Sequence, residues 1–354
     1  LSPWALGLAT LRRVFNVLPL PRTLEAAERD LNDPKPDVRV SAARDLGRAD
    51  PGDERERRVA ALVRALGDQV PAVRKQALLS LADHAAEEAT PRVLSLLGDA
   101  DSAVRQMAVL ALGEVASVGH AESVGRLTGL LSAGDSALRY QALSALVRLS
   151  PAEARKNVVA ALGDSDAEVR ALALRLLEES LLADAQALDA ELESKIRAAA
   201  SDSDARVALL AQLMGGELGL DVPVDAVVAL VNGAERAGEP RDEQVAIELC
   251  GRLRIAAATA GLRRRAFGPW GVSFDPFRWQ ARAGLAGLGD ARARAKMEKC
   301  LARGGFHDRT LAVFAVGQVG LERFRPDLER LLGQAERVDQ EVLGEALARL
   351  GSPT

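Results

Sequence analysis

The 354-residue sequence has little of what chemistry at protein sites usually requires. It holds two cysteines, Cys250 and Cys300, and three histidines, His84, His120 and His307. Two cysteines make neither a disulfide framework nor a thiolate metal quartet, and a reducing cytoplasm is the expected compartment. Aromatics are 3% of the chain, with one tyrosine, so the core must be assembled from Leu, Ala and Val. Side chains of this kind favour helix. Neither sign of charge dominates. The formal net charge is −4, which argues against a general polyanion binder. No apolar run is long enough to cross a bilayer. The opening WALGLATLRRVFNVLPL is interrupted by Arg12 and Arg13, and a signal peptide carries its charges before the apolar run. Residues 1–24 are read as an amphipathic N-terminal cap.

What the chain does have is one phrase written many times. Its clearest forms are DVRVSAARDLG at Val38, AVRKQALLSLA at Val73, AVRQMAVLALG at Val104, ALRYQALSALV at Leu138 and EVRALALRLLE at Val169. Fainter copies stand at Val207, Val245, Phe277, Asp308 and Val342, in steps of 31 to 38 residues. Each copy reads as two helices. In the third, TPRVLSLLGD is a short helix and DADS a turn with capping residues. Val104, Ala108, Ala111, Leu112 and Val115 then mark one face of a second helix. A single helix pair cannot bury that face, so neighbours must stack. The expectation is an all-α, right-handed α-solenoid of about ten helix pairs, forming a single array over 1–354.

The Asp or Asn turn followed by VR, Ala and ALG at fixed offsets resembles the HEAT repeat, in the short bacterial form similar to phycobilin lyase-like proteins. The resemblance implies an internal ladder in which Arg39, Arg74, Arg105, Arg139 and Arg170 pair with turn carboxylates of adjacent units. Asp33, Asp68, Asp99, Asp135 and Asp164 are the candidates. Arg278 and Arg309 match the position later, whereas Ala208, Ala246 and Leu343 interrupt it.

Catalytic constellations are missing. There is no H-E-x-x-H, paired C-x-x-C, P-loop or G-x-S-x-G stretch. No His-Glu dipeptide of the kind used by iron-dependent HEAT hydroxylases occurs. His84 and His120 fall at turns and are read as solvated; Cys250 and Cys300 are read as small core residues. Trp279 and Asp275 are a weak match to the Trp and Asp of HEAT-like DNA glycosylases. No cofactor and no metal are expected, and the chain is read as not an enzyme.

Two regions break the rhythm. Residues 184–250 carry 14 acidic and 5 basic residues, and residues 251–309 carry 13 basic and 4 acidic ones. Within the basic block, RRRAFGPWGVSFDPFRW concentrates Phe267, Trp270, Phe274, Phe277 and Trp279 around helix breakers, so 261–279 reads as an extended basic, aromatic loop. Trp279 lies two residues past the core position, a rotation of ~200°, and is expected to face outward. The same rotation puts Val40, Lys75, Gln106, Tyr140, Ala171, Leu209 and Ile247 outward on the second helices. Leu78, Val109, Leu110, Leu143 and Leu174 flank them.

These features point to a non-enzymatic scaffold that binds a partner protein, one with an acidic patch or an amphipathic helix. The candidate contact residues are Lys75, Gln106, Tyr140, Leu143, Leu209, Arg263, Arg264, Arg265, Trp270 and Trp279. The alternatives are a nucleic-acid-binding, glycosylase-like protein, for which the arginines and tryptophans would serve phosphate and base, and a phycobilin lyase-like chaperone of a chromophore protein. The acidic block beside the basic one counts against a long polyanion.

Overall fold

The structure, a computed structural model, describes residues 22–48, 54–183, 188–268 and 273–351. It divides into two compact units, Leu1–Ala160 and Ala161–Thr354. Among the described residues there are helices and turns and no strand.

The first unit holds α1 (Leu24–Asp30), α2 (Pro36–Arg48), α3 (Arg55–Ala65), α4 (Pro71–Asp83), α5 (Thr90–Ser95), α6 (Ser102–Val115), α7 (Ala121–Leu130) and α8 (Ser136–Leu149), with α9 (Pro151–Ala161) at its end. The second holds α10 (Ala167–Ala183), α11 (Ala190–Ala199), α12 (Ala205–Glu217), α13 (Asp225–Val231) and α14 (Pro240–Arg252). It continues with α15 (Thr259–Phe267), α16 (Arg278–Gly287), α17 (Ala291–Arg303), α18 (Phe306–Val319), α19 (Arg325–Glu329) and α20 (Gln340–Gly351). Short first helices alternate with longer second helices. In the first unit each second helix packs on its own first helix and on the next second helix, in the order α2, α4, α6, α8. In the second unit α10, α12, α14, α16, α18 and α20 form the corresponding row. This stacking is that of an α-solenoid.

Helix α6 shows why the phrase folds this way. Asp101 caps it by accepting from the N–H groups of Ala103 and Val104. Val104, Ala108, Val109, Ala111, Leu112 and Val115 are all buried, most with no exposure at all, and a buried Val or Leu is worth about 1.5–3 kcal/mol. The fifth position after the core valine, where Leu78, Val109, Leu143 and Leu174 stand, is buried as well. It lies on the core-facing side of the second helix, so these four residues do not flank an outer surface as expected. Ala171, Leu209 and Ile247 are likewise buried.

The seventh copy sits three residues earlier than its alignment at Val245. Asp242, Ala246, Ile247, Leu249 and Cys250 are buried at the same offsets as Val73, Ala77, Leu78, Ser80 and Leu81. An aspartate therefore fills the core valine position. Further along, Gly251 and Gly284 let α14 and α16 touch backbone to backbone. A Cβ on Gly251 would lie 2.5 Å from the Gly284 Cα and 3.1 Å from a Val319 methyl.

Of the segment expected as a cap over 1–24, residues 22–24 are described. Thr23 caps α1. The Arg22 guanidinium donates to Asp30, at 2.9 Å, and to Asp45, tying α1 to α2.

The turns explain the polar half of the repeat. The N–H groups of Val70, Asp101, Asp166 and Asp204 donate to the carboxylates of Asp68, Asp99, Asp164 and Asp202, two residues earlier, at 2.8–2.9 Å. Each ladder arginine, Arg39, Arg74, Arg105, Arg139 and Arg170, donates Nη1–H at 2.8 Å to the carbonyl six residues before it. Arg39, Arg74 and Arg170 then reach forward with Nε and Nη2, bidentate on Asp68, Asp99 and Asp202 of the following turn, at 2.6–3.0 Å. The hydrogen bond from Arg74 holds the Asp99 carboxyl below the usual carboxylate range, and Arg170 does the same for Asp202. Arg105 is different. Ala133 occupies the place of the forward aspartate, and the guanidinium keeps only the carbonyls of Asp99 and Ala100. The expected acceptors are corrected accordingly: Asp33 offers its carbonyl to Arg39, Asp135 is the N-cap of α8, and Asp202 takes the rung. Arg309, at a later ladder position, spends its guanidinium on the carbonyls of Leu301 and Arg337.

Removing Arg74 strands a carboxylate whose side chain is 7% exposed. Arg74→Ala should therefore cost about 3 kcal/mol, Arg105→Ala about 1.5 kcal/mol, and Arg126→Ala, on exposed α7, about 0.5 kcal/mol or less. Ala133→Asp should supply the missing rung and stabilise by about 1 kcal/mol. Urea midpoints measure all four; equal midpoints for Arg74→Ala and Arg126→Ala would remove the ladder from this account.

Candidate protein-interaction surface

On the second-helix row of the first unit, two positions per helix point away from the core, the second and sixth after the core residue. They lie four residues apart and share a helical face. At the second stand Val40, Lys75, Gln106 and Tyr140; at the sixth, Arg44, Leu79, Leu110 and Ser144. Leu79 is 42%, Leu110 43% and Tyr140 39% exposed, so three consecutive second helices, α4, α6 and α8, each show water one large apolar side chain. Lys75 and Arg44 are exposed on the same helical face, with no ion pair among the described residues. Gln106 is half-buried, its amide 3.4 Å from Asp135. Leu143 and Leu209 are core residues, at 0% and 6% exposure, and drop out of the surface.

The basic, aromatic segment is arranged differently from expectation. Residues 261–267 belong to α15, and the described non-helical residues are 268 and 273–277; Trp270 lies outside the described residues. The three arginines are engaged. Arg263 pairs with Asp290 at 3.1 Å, and Arg264 donates to the Asn232 carbonyl at the end of α13. Arg265 bridges Glu243 at 2.6 Å and Asp275 at 3.2 Å. Trp279 does not face outward. It is 5% exposed, its indole N–H donates to Asp308 at 2.9 Å, and the Arg282 guanidinium stacks over its ring at 4.3 Å. A carboxylate beyond the helix gave the indole nitrogen a hydrogen-bond partner, which the rotation argument left out. Trp279 and Asp275 therefore present no open pocket for a base. Among the described residues of this stretch Phe274 is the exposed aromatic, at 91%. Trp279→Ala should cost about 3–5 kcal/mol, read as a lower thermal midpoint; an unchanged midpoint would return Trp279 to the surface.

In the second unit the row turns polar. Arg175, on α10, reaches Asp242 on α14 at 2.5 Å and Glu178 at 3.1 Å, and so fixes the aspartate in the valine position. Gln212 is buried with both ends of its amide used. It donates to the Ala200 carbonyl and Asp225, and accepts from the N–H groups of Ala226 and Val227. Neither residue was singled out from sequence; the break in the Val-Arg phrase at Asp242 was the available signal. On the same row Glu248 is 9% exposed. Burial pushes its carboxyl up to about 7, with Glu217 adding repulsion, against a hydrogen bond from Gln244 and the charges of Arg252 and Arg349. A raised carboxyl opposes folding once it must ionise. Its penalty is absent below the unfolded value near 4.5 and grows as pH rises towards 7. Glu248→Gln should thus stabilise the protein by about 2–3 kcal/mol at pH 8 and little at pH 4.5, compared by urea midpoints at the two pH values; equal gains would disconnect it from ionisation.

The remaining chemistry-bearing residues are structural. Cys250 and Cys300 are buried and free, and burial pushes both thiols up to about 12, away from thiolate reactivity. His84 and His120 are half-buried rather than solvated: His84 Nε2 lies 2.9 Å from the Leu46 carbonyl, and His120 Nδ1 caps α7 through Ser123. Among the described residues no group of three His, Cys, Asp or Glu side chains gathers to hold a metal, and no helix is long and apolar enough to cross a membrane.

Stacked helix pairs, capped turns and an arginine ladder define an α-solenoid. Residues 21–113, 59–137 and 90–178 match HEAT repeats, a fold that is typically a non-catalytic scaffold. No curated protein matches the sequence. Among solved structures, an engineered protein is 19% identical, with 94% of this chain and 99% of that one covered and a TM-score of 0.49. The complex of CpcE and CpcF of phycocyanin lyase from Nostoc sp. is 18% identical over 70% of this chain and 96% of that one, with a TM-score of 0.41. A designed armadillo repeat protein is 21% identical over 54% and 97%, with a TM-score of 0.37.

Proposed function

We propose that this protein is a non-catalytic HEAT-repeat adaptor of the cytoplasm that holds a segment of a partner protein against the second-helix row of its first unit. The observation that carries this reading is the apolar series Leu79, Leu110 and Tyr140 on α4, α6 and α8. Single exposed leucines are ordinary, but one large apolar side chain on each of three consecutive helices is the pattern of an interaction site. A rigid aromatic beside aliphatic side chains suits an anchor, and an amphipathic partner helix or extended segment suits such a row. Lys75 and Arg44 favour a partner with carboxylates beside its apolar residues.

The test places a photo-crosslinking residue at Leu110 and, as control, at Arg126, in host cells. The partner captured only from Leu110 is purified, and its affinity is measured for the wild-type protein and for Leu79→Asp/Leu110→Asp. A loss of tenfold or more, about 1.4 kcal/mol, with an unchanged melting temperature is expected. Undiminished binding by the double variant, or crosslinks to nucleic acid alone, would end this reading.

A further inference from the structure

The positive charge of the second unit is not where the arginine triplet of the sequence suggests. Arg263 and Arg265 are held by carboxylates, and Arg264 by a carbonyl. Free charge is concentrated on α17. Arg292, Lys296, Lys299 and Arg303 follow one another at spacings of four, three and four residues, so they share one helical face, and all four are exposed. The adjoining face, Ala293, Met297, Cys300 and Leu301, is buried in the unit's core. Lys296, Lys299 and Arg303 have no ion pair among the described residues, and Arg292 stacks on the Phe267 ring at 4.0 Å. The single acidic residue of the helix, Glu298, faces Arg323 at 3.6 Å.

We propose that this face of α17 is a second docking site, separate from the apolar series of the first unit, and that its occupant is an acidic segment of a protein. The cations repeat about every 6 Å along roughly 16 Å of helix. Carboxylates four residues apart on a helix laid alongside, or at alternate positions of an extended chain, meet that spacing. Nucleic acid fits less well. The aromatic ring that touches these cations, Phe267, is 5% exposed and already covered by Arg292, so it is closed to base stacking, and the exposed rings Phe274 and Phe306 lie off α17. The cationic strip is also short. In the neighbouring α19 segment Glu322, Asp327 and Glu329 pair with Arg325 and Arg330, so the strip does not continue there for a phosphate chain running on.

The probe is a fluorescein-labelled helical peptide of about four turns, with glutamates at spacings of four, three and four; the control peptide has glutamines there. With the full protein, binding of the glutamate peptide at about 0.15 M salt, weakening steeply as salt rises, is expected. Lys296→Glu/Lys299→Glu should weaken it tenfold or more. Lys35→Glu/Lys156→Glu, the same change of charge at exposed sites elsewhere, should leave it within about twofold, as should Leu79→Asp/Leu110→Asp, so failure here is separable from failure of the first-unit reading. No binding, equal binding of the glutamine peptide, or equal loss in the control variant would overturn the proposal. So would tighter capture of single-stranded DNA, or of phosphatidylserine vesicles, by the wild-type protein than by Lys296→Glu/Lys299→Glu in the absence of peptide binding.

Discussion

A guanidinium shared between two turns holds the regular part of this molecule in register. Apolar faces bring helix pairs together, but Leu, Val and Ala contacts are non-directional and tolerate sliding. Arg39, Arg74 and Arg170 are each fixed first by the carbonyl of their own turn and then, bidentate, by the aspartate of the next. Planar fork geometry makes that second contact directional. The same aspartate tightens its own turn by accepting a backbone N–H, and a second aspartate two residues on caps the helix. Four short polar interactions thus set where each helix begins and how far along its neighbour it sits. The surface that α4, α6 and α8 present together depends on this alignment.

The first unit was legible because its residues do one job each. Val104, Ala108 and Leu112 are apolar and buried; Asp101 caps; Arg74 bridges. Offsets along the sequence carry that information whole. Legibility failed where a residue answered to something distant in sequence. Asp242 stands in a valine's place because Arg175, 67 residues away, neutralises it, and the copy was consequently aligned three residues late at Val245. Helical rotation turns Trp279 outward, yet Asp308 gives its indole N–H an acceptor that holds the ring in. The arginine triplet read as free charge because its carboxylates, Asp290, Glu243 and Asp275, are spread along the chain. For the candidate surface, Lys75 and Tyr140 were readable from rotation alone. Leu143 and Leu209 were not, because the side of a helix facing its own partner helix looks the same in sequence as the side facing water.

The two units solve one packing problem with different materials. In the first, apolar side chains reach the surface of the second-helix row and charge lies in the turns. In the second, the row itself carries Arg175, Glu248 and Gln212, and the turns lose their arginine at Ala208. Buried polar groups demand specific partners, so the second unit gains definition at the cost of burying charge. Its free cations are left on the first-helix layer, at α17. The two candidate docking faces accordingly differ in kind, one shaped by apolar contact and one by a line of charge.

The rung missing at Ala133 has a mechanical consequence. Between α6 and α8 the helices meet through small-residue packing, with Gly113 against Ala145, and through the exposed pair of Arg148 on Glu114 near their C-terminal ends; the turn-to-turn clamp of the Arg39 and Arg74 junctions is absent. A load along the first unit would meet two junctions clamped at the turn end and then one clamped by a guanidinium only at the far end. That junction should open from its turns first, as a hinge opens away from its pin. Leu110 and Tyr140 stand on either side of it, so the spacing of these two side chains is the most easily stretched dimension of the apolar surface.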